Sequence, residues 1–197
     1  MVALLPRHDP PAAAGALPAN LRRLRLERQL TLEQLALRSG VSRAMISKIE
    51  RGTAVPTATV LGKLSAGLSV GLSVLVGGQR EREPTLLTPG EQAVYRDPNS
   101  GLERRSLSPL FADRLVDLAM NTLAAHGHVV FPAHHAGVDE YLYVTRGDLV
   151  VVVGGKRFDV RQGSSLFYPG STVHEFHNET DAAVEFIIVV DGTAAGA

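Results

Sequence analysis

The 197-residue chain contains no cysteine, which excludes a disulfide framework and any thiolate-held metal. No apolar run approaches the ~18 residues that a membrane-spanning helix needs, so no membrane partner is expected. Net charge is also absent, with 20 Lys and Arg against 20 Asp and Glu, but its distribution is uneven. Between Leu17 and Arg80 ten basic residues face three acidic ones, and from Glu81 onward sixteen acidic residues face nine basic ones. A basic segment tied to an acidic one implies that only the first meets a polyanion. The opening MVALLPRHDPPAAAGALP is interrupted by prolines and lacks a cationic stretch leading into an unbroken apolar core. Residues 1–17 are therefore read as a disordered arm and not a signal peptide, and a cytoplasmic protein is expected.

The densest information lies in Thr31 to Gly52, TLEQLALRSGVSRAMISKIERG. Thr31 and Gln34 have capping-box spacing, and Leu32, Leu35 and Ala36 follow at helical spacing. Ser39-Gly40 closes that helix, with Gly40 suited to the left-handed conformation of a C-cap. Ser42 caps the next helix, in which Val41, Met45, Ile46 and Ile49 are assigned to apolar contacts. Arg43, Ala44, Ser47 and Lys48 then form a polar strip at one-turn spacing. Such a helix is built to meet base edges and phosphates in a DNA groove.

Residues from about Asn20 to Val76 resemble the helix-turn-helix domain of phage-repressor-like transcription factors, the lambda repressor and Xre type. The likeness runs through LALRSGVS, the IERG that ends the second motif helix, Pro56, and TVLGKLSAGLSVGLSVLV. It implies a five-helix domain in which Thr31, Ser42, Arg43, Ala44, Ser47, Lys48 and Arg51 bind DNA. Leu32 stands where many members carry a phosphate-binding glutamine. Gly62 and Gly67 each weaken the fourth helix by roughly 1 kcal/mol relative to alanine, a cost that tertiary packing has to offset.

After Val76 the stretch GGQREREPTLLTPGEQ is rich in glycine, proline and charge, and residues 77–93 are read as a linker. Beyond it, short apolar runs alternate with turn residues such as Arg146-Gly147-Asp148, Gly154-Gly155, Gln162-Gly163 and Pro169-Gly170. Strands are expected at Leu115 to Leu123, Tyr141 to Val144, Leu149 to Val153, Arg157 to Val160, Ser165 to Tyr168, His174 to His177 and Val184 to Val190. Regular short strands with tight turns indicate an antiparallel sandwich or barrel.

Six of the seven histidines lie in this half. His135, Glu140, Gly147, Gly163, Pro169, His174 and Asn178 fall at the spacing of the two cupin motifs, and about Leu123 to Val190 resembles that family of jelly-roll barrels. The chain is thus expected to be a two-domain α+β protein. An all-α helix-turn-helix domain over 18–76 would precede an all-β cupin sensor domain over 94–197. By that resemblance the metal-ligand positions are Ala133, His135, Glu140 and His174. The first is an alanine, which leaves two histidines and a carboxylate, a set that suits non-haem iron and other divalent metals (Zn, Fe, Mn or Ni). The alternative is a metal-free pocket of His135, Glu140, His174 and Tyr141 or Tyr143 that binds a small polar molecule directly. Recruiting His134 in place of Ala133 conflicts with strand alternation, since adjacent strand residues point to opposite faces. His128 and His177 are assigned outside the pocket by the same period.

A helix-turn-helix head followed by a cupin resembles bacterial transcription regulators whose cupin senses a metabolite. The resemblance implies a non-enzymatic homodimer that binds a double-stranded operator and a small-molecule effector. The same architecture occurs in an iron-dependent hydroxyalkylphosphonate epoxidase, where His135, Glu140 and His174 would hold iron. A third reading leaves the cupin only a dimerising role.

Overall fold

The computed structural model describes residues 16–77, 84–109 and 115–192. The arm up to residue 15 and the linker positions 78–83 lie outside the described residues. Five helices come first: α1 (Ala16–Glu27), α2 (Leu32–Ser39), α3 (Arg43–Glu50), α4 (Ala58–Leu68) and α5 (Leu72–Gly77). The local signals act as the sequence implies. Gln34 N–H donates to Thr31 Oγ1 at 3.1 Å and Thr31 N–H donates to Gln34 Oε1 at 2.8 Å, satisfying two otherwise unpaired amides reciprocally. Gly40 takes φ 65° at the end of α2, and Met45 N–H donates to Ser42 Oγ at the start of α3.

Leu21, Leu24, Leu35, Ile46, Ile49, Leu61 and Leu64 are fully buried between these helices. Met45 is not among them. It is 37% exposed, because at helical spacing it falls between the buried Ile46 and Ile49 stripe and the polar strip. Arg25 of α1 clamps the core from within. Its Nε and Nη2 donate to the two oxygens of Glu50 at 2.7 and 2.9 Å, and Nη1 donates to the Leu30 carbonyl at 2.8 Å. That fork fixes α1, the α1–α2 turn and the end of α3 against one another.

Ten strands follow: β1 (Val94–Arg96), β2 (Leu102–Ser106), β3 (Leu115–Leu123), β4 (His128–Phe131), β5 (Val138–Arg146), β6 (Leu149–Val153), β7 (Lys156–Val160), β8 (Ser165–Pro169), β9 (His174–His177) and β10 (Val184–Gly192). They form a six-stranded sheet, β1-β2-β3-β10-β5-β8, and a four-stranded sheet, β4-β9-β6-β7. Among the described residues these strands all pair antiparallel. Phe176 and Phe186 meet between the sheets with ring centroids 5.2 Å apart.

The helical head rests on the barrel through α4. Thr59 Oγ1 donates to the Val130 carbonyl of β4 at 2.8 Å, and Tyr95 of β1 donates to the Pro56 carbonyl at 2.8 Å. The Asp97 carboxylate accepts the Ala58 backbone N–H, a charge-assisted bond placed where the helix dipole favours an anion. The two α4 glycines, unfavourable for the helix, are explained by these contacts. A Cβ on Gly62 would stand 2.8 Å from Pro132 Cδ, and one on Gly67 would stand 2.8 Å from Ser39 Cβ and 3.0 Å from its backbone. Replacing Gly67 by alanine is accordingly expected to destabilise the chain by about 1 kcal/mol or more through overpacking. Helix propensity alone predicts a gain of about 1 kcal/mol, so urea unfolding of Gly67→Ala decides between the two by sign.

Candidate functional site: a polar cavity under the DNA-binding head

Strand β5 alternates faces, with Val138, Glu140, Leu142 and Val144 turned inward. This period places the Glu140 carboxylate inside the barrel, 2% exposed. It sends Tyr141 and Tyr143 to the outer face, 49% and 46% exposed, so neither lines the cavity and the pocket expected to include them with Glu140 is corrected. The phenol that reaches Glu140 is Tyr168 of β8, the pairing partner of Glu140 across the sheet. Its hydroxyl donates to Glu140 Oε2 at 2.7 Å.

The second correction concerns histidine. His134, not His135, joins Glu140 and His174: His134 Nε2 lies 2.9 Å and His174 Nε2 3.4 Å from Glu140 Oε1. Strand alternation does not apply here, since β4 ends at Phe131 and residues 132–135 are irregular. Pro132 cannot donate to a ladder and so takes the chain out of the sheet. The irregular segment turns the His134 ring inward, and the backbone N–H of His134 donates to the Gly170 carbonyl at 2.8 Å. His135 stays beside the site with Nδ1 3.0 Å from the Ala136 carbonyl, and Ala133 supplies no donor atom.

Burial opposes ionisation of Glu140. The His134 hydrogen bond, the charges of His174 and His134 and the Tyr168 hydroxyl outweigh it, so the carboxyl is held below the usual range. Tyr168 is pushed well above the ordinary tyrosine value, by burial first and then by the adjoining carboxylate, and it stays a donor. His174 Nδ1 lies 3.0 Å from the Thr172 carbonyl. A carbonyl only accepts, so Nδ1 carries a proton and Nε2 is the nitrogen turned toward Glu140. Nε2 thus faces a carboxylate oxygen at 3.4 Å, an arrangement that either a proton or a cation between the two atoms completes.

The donor set fits a divalent metal on those grounds. His134, Glu140 and His174 offer ligand atoms all within 4.8 Å of one another, and hydrogen bonds from or to Tyr168 and Thr172 orient two of the three, as in protein metal centres.

Sequence reasoning missed two further charges in the cavity. Arg104 of β2 and Asp117 of β3, 7% and 1% exposed, pair through Nη2 and Oδ2 at 2.9 Å. Arg104 Nε and Asp117 Oδ1 have no hydrogen-bond partner, nor does Ser65 Oγ of α4. All three residues line the same cavity of about 40 Å³ as His134, Glu140 and His174, and its remaining wall includes Gly62, Gly71 and Leu72 of the head. That volume holds a cation or a few atoms the size of water. Unpaired buried polar groups cost about 1–3 kcal/mol each, so a ligand able to donate to Asp117 and accept from Arg104 relieves them.

The polar strip of α3 is on the surface. Arg43, Ala44 and Lys48 are exposed and Ser47 is half-buried. Arg43 Nε sits 2.7 Å from Glu33 Oε1 of α2 in a solvent-exposed ion pair, and Arg51 donates to Ser47 Oγ. Thr31 and Ser42 stand at the N-termini of α2 and α3. Leu32 packs against the apolar core, consistent with a residue that takes no phosphate.

These two halves define a class. Residues 21–75 match the helix-turn-helix family HTH_3, residues 121–191 match the Cupin_2 cupin domain family, and the chain is an Xre-type helix-turn-helix protein with a C-terminal cupin domain. It is 27% identical over 173 residues to the HTH-type transcriptional regulator SutR of Escherichia coli (strain K12), across 88% of this chain and 93% of that one. A crystal structure of an HTH_3 family transcriptional regulator from Vibrio cholerae is similar at TM-score 0.74 and 25% identity, covering 90% of this chain and 96% of that one. Hydroxypropylphosphonic acid epoxidase from S. wedmorenis aligns over 90% of this chain and 97% of its own at TM-score 0.48 and 18% identity, too remote to bear on activity. Among the described residues no helix is long and apolar enough to cross a membrane.

The exchange of roles between neighbouring histidines is directly testable. In equilibrium dialysis of chelator-treated protein against zinc, His134→Ala is expected to lose one equivalent of bound metal, whereas His135→Ala retains the full amount. The reverse pattern would restore His135 to the site.

Proposed function

We propose that the chain is a cytoplasmic, sequence-specific transcriptional regulator without catalytic activity, whose DNA affinity responds to occupancy of the barrel cavity. The observation that carries this reading is the shared wall. Gly62 and Ser65 of α4, with Gly71 and Leu72, belong to the helical head and line the cavity together with His134, Glu140 and His174. A ligand there touches the head directly. It acts on α4, which packs through Gly67 against Ser39 at the end of α2, one turn before the recognition helix α3. A ligand that prefers one seating of α4 shifts the population of head placements by its difference in affinity, and by no more than that.

In this reading Thr31, Ser42, Arg43, Ala44, Ser47, Lys48 and Arg51 form the operator surface. Arg43 exchanges its solvent-exposed bond to Glu33, a weak, salt-screened pair, for a base edge or phosphate. The effector is a divalent cation or a small polar molecule held by His134, Glu140 and His174, with Arg104 and Asp117 reading its acceptor and donor. A homodimer supplies the second recognition helix that a two-fold operator requires. The outer face of the six-stranded sheet supports it as the interface: Tyr141, Tyr143 and Phe167 are about half exposed and adjoin one another. Contiguous apolar surface of that kind favours a partner. Where iron occupies the triad, the competing reading is an oxidase. Turnover of an organic substrate by the iron-loaded protein would favour it.

Two measurements test the regulator. Fluorescence anisotropy with its own upstream DNA is expected to show salt-dependent, specific binding, weakened roughly ten-fold in Arg43→Ala, and equal affinity for random DNA would overturn the reading. Phe167→Asp is expected to sediment as a monomer and to bind the full operator more weakly than the parent. An unchanged dimer would remove the outer sheet face as its interface.

A further inference from the structure

A second group of metal-ligating side chains lies on the outside of the barrel, apart from the cavity. His128 of β4 and His177 of β9 are directly opposed across the strand pair. Glu175 stands two residues before His177 and therefore shares its face. The two imidazoles stack with centroids 4.0 Å apart and planes 15° from parallel. Both turn Nε2 to the same carboxylate oxygen, Glu175 Oε2, at 3.0 Å from His128 and 3.1 Å from His177. All three ligand atoms lie within 4.8 Å of one another, and each residue remains partly open to solvent, between 27% and 48% by side chain.

We propose that His128, Glu175 and His177 form a divalent-cation site of the zinc type, independent of the barrel cavity. Two neutral imidazoles and a carboxylate are the donor set that suits zinc, with solvent completing a fourth position. Zinc bonds of about 2.0–2.2 Å in tetrahedral array hold ligand atoms roughly 3.4 Å apart. The two imidazole-to-carboxylate distances are a few tenths of an ångström shorter than that, and the rings have to turn out of their parallel stack to converge on one cation. A neutral imidazole that carries its proton on Nδ1 presents a bare Nε2 to a cation.

The surrounding charge favours a cation. Arg157 of β7, in line with Glu175 across the sheet through Val152, is already engaged, donating to Glu179 at 2.7 and 3.0 Å and to Asp159 at 3.0 Å.

The position gives such a cation a structural consequence. Strand β4 is the edge of its sheet and pairs there only with β9. It is also the strand whose Val130 carbonyl accepts Thr59 of α4. A metal held by His128 from β4 and by Glu175 and His177 from β9 clamps the edge strand on which the head sits.

The test is zinc titration calorimetry on the chelator-treated full chain. His174→Ala removes a ligand of the cavity cluster and leaves the outer group intact, so this variant is expected to bind one equivalent and to melt at higher temperature with zinc. Adding His128→Ala and His177→Ala to it is expected to abolish both effects. Because His174 is buried and its loss can disturb the barrel, the surface pair is also replaced in the parent chain, where zinc stoichiometry is expected to fall by one equivalent. The proposal is overturned if the parent and its His128→Ala/His177→Ala form take up equal zinc, or if folded His174→Ala binds none. DNA binding enters neither comparison, so failure here leaves the regulator reading untouched, and the converse holds as well.

Discussion

The close approach of α4 to the end of β4 is the constraint on which the rest of the molecule depends. Gly62 lies against Pro132 with no room for a side chain between them, and the Thr59 bond to Val130 fixes the axial position of the helix on the strand. Three properties follow from that contact. It walls one side of the cavity at the mouth of the barrel with helix α4, and it gives the head a defined seat. It also accounts for a proline at the point where β4 has to leave its sheet, since the strand can pair no further where the helix lies across it. The helix accepts two glycines in its own interior as the cost of packing against a rigid ring on one side and the Ser39 backbone on the other.

The interior polar groups are organised as two coupled sets and not as isolated residues. Glu140 binds His134, His174 and Tyr168, while Arg104 binds Asp117 and Asn121. Burying any one of these charges alone is expensive, and a hydrogen-bonded pair offsets only part of that cost. A barrel interior retains such groups where something else completes them. The unpaired atoms of Arg104 and Asp117 make the same point from the other direction. By contrast, the Arg25 and Glu50 pair of the head uses all three guanidinium nitrogens and therefore reads as structural.

What the sequence made legible was local. Thr31 with Gln34, Gly40, and Ser42 specify their caps through neighbours no more than four residues away, and each forms as read. Most barrel strands were likewise visible from runs of apolar residues between glycine turns. Strand β2 was not, because its inward residues include Arg104 and Ser106, and a buried charge erases the alternation by which strands are recognised. The short β1 and β4 were missed for lack of length. The histidine exchange has a sharper cause. The two-residue period ends at Pro132, where the strand stops, so His134 escapes the alternation, whereas Tyr141 and Tyr143 obey it and face away from Glu140 beside them. The fold was thus readable from pattern, whereas the cavity depends on where pattern ends and on a helix that is distant in sequence.

Asp97 carries a consequence for the ancestry of such proteins. It belongs to the barrel half, where its Oδ1 accepts the Asn99 and Ser100 amides in a tight turn, yet its other oxygen accepts Ala58 at the first turn of a head helix. Thr57 caps the same helix from the head side, so the start of α4 is completed jointly by both halves. A barrel transplanted from another chain would have to bring its own acidic residue to this spot. Shuffling between heads and barrels is therefore limited by the grammar of a helix end, and the two halves are expected to be inherited as a matched pair.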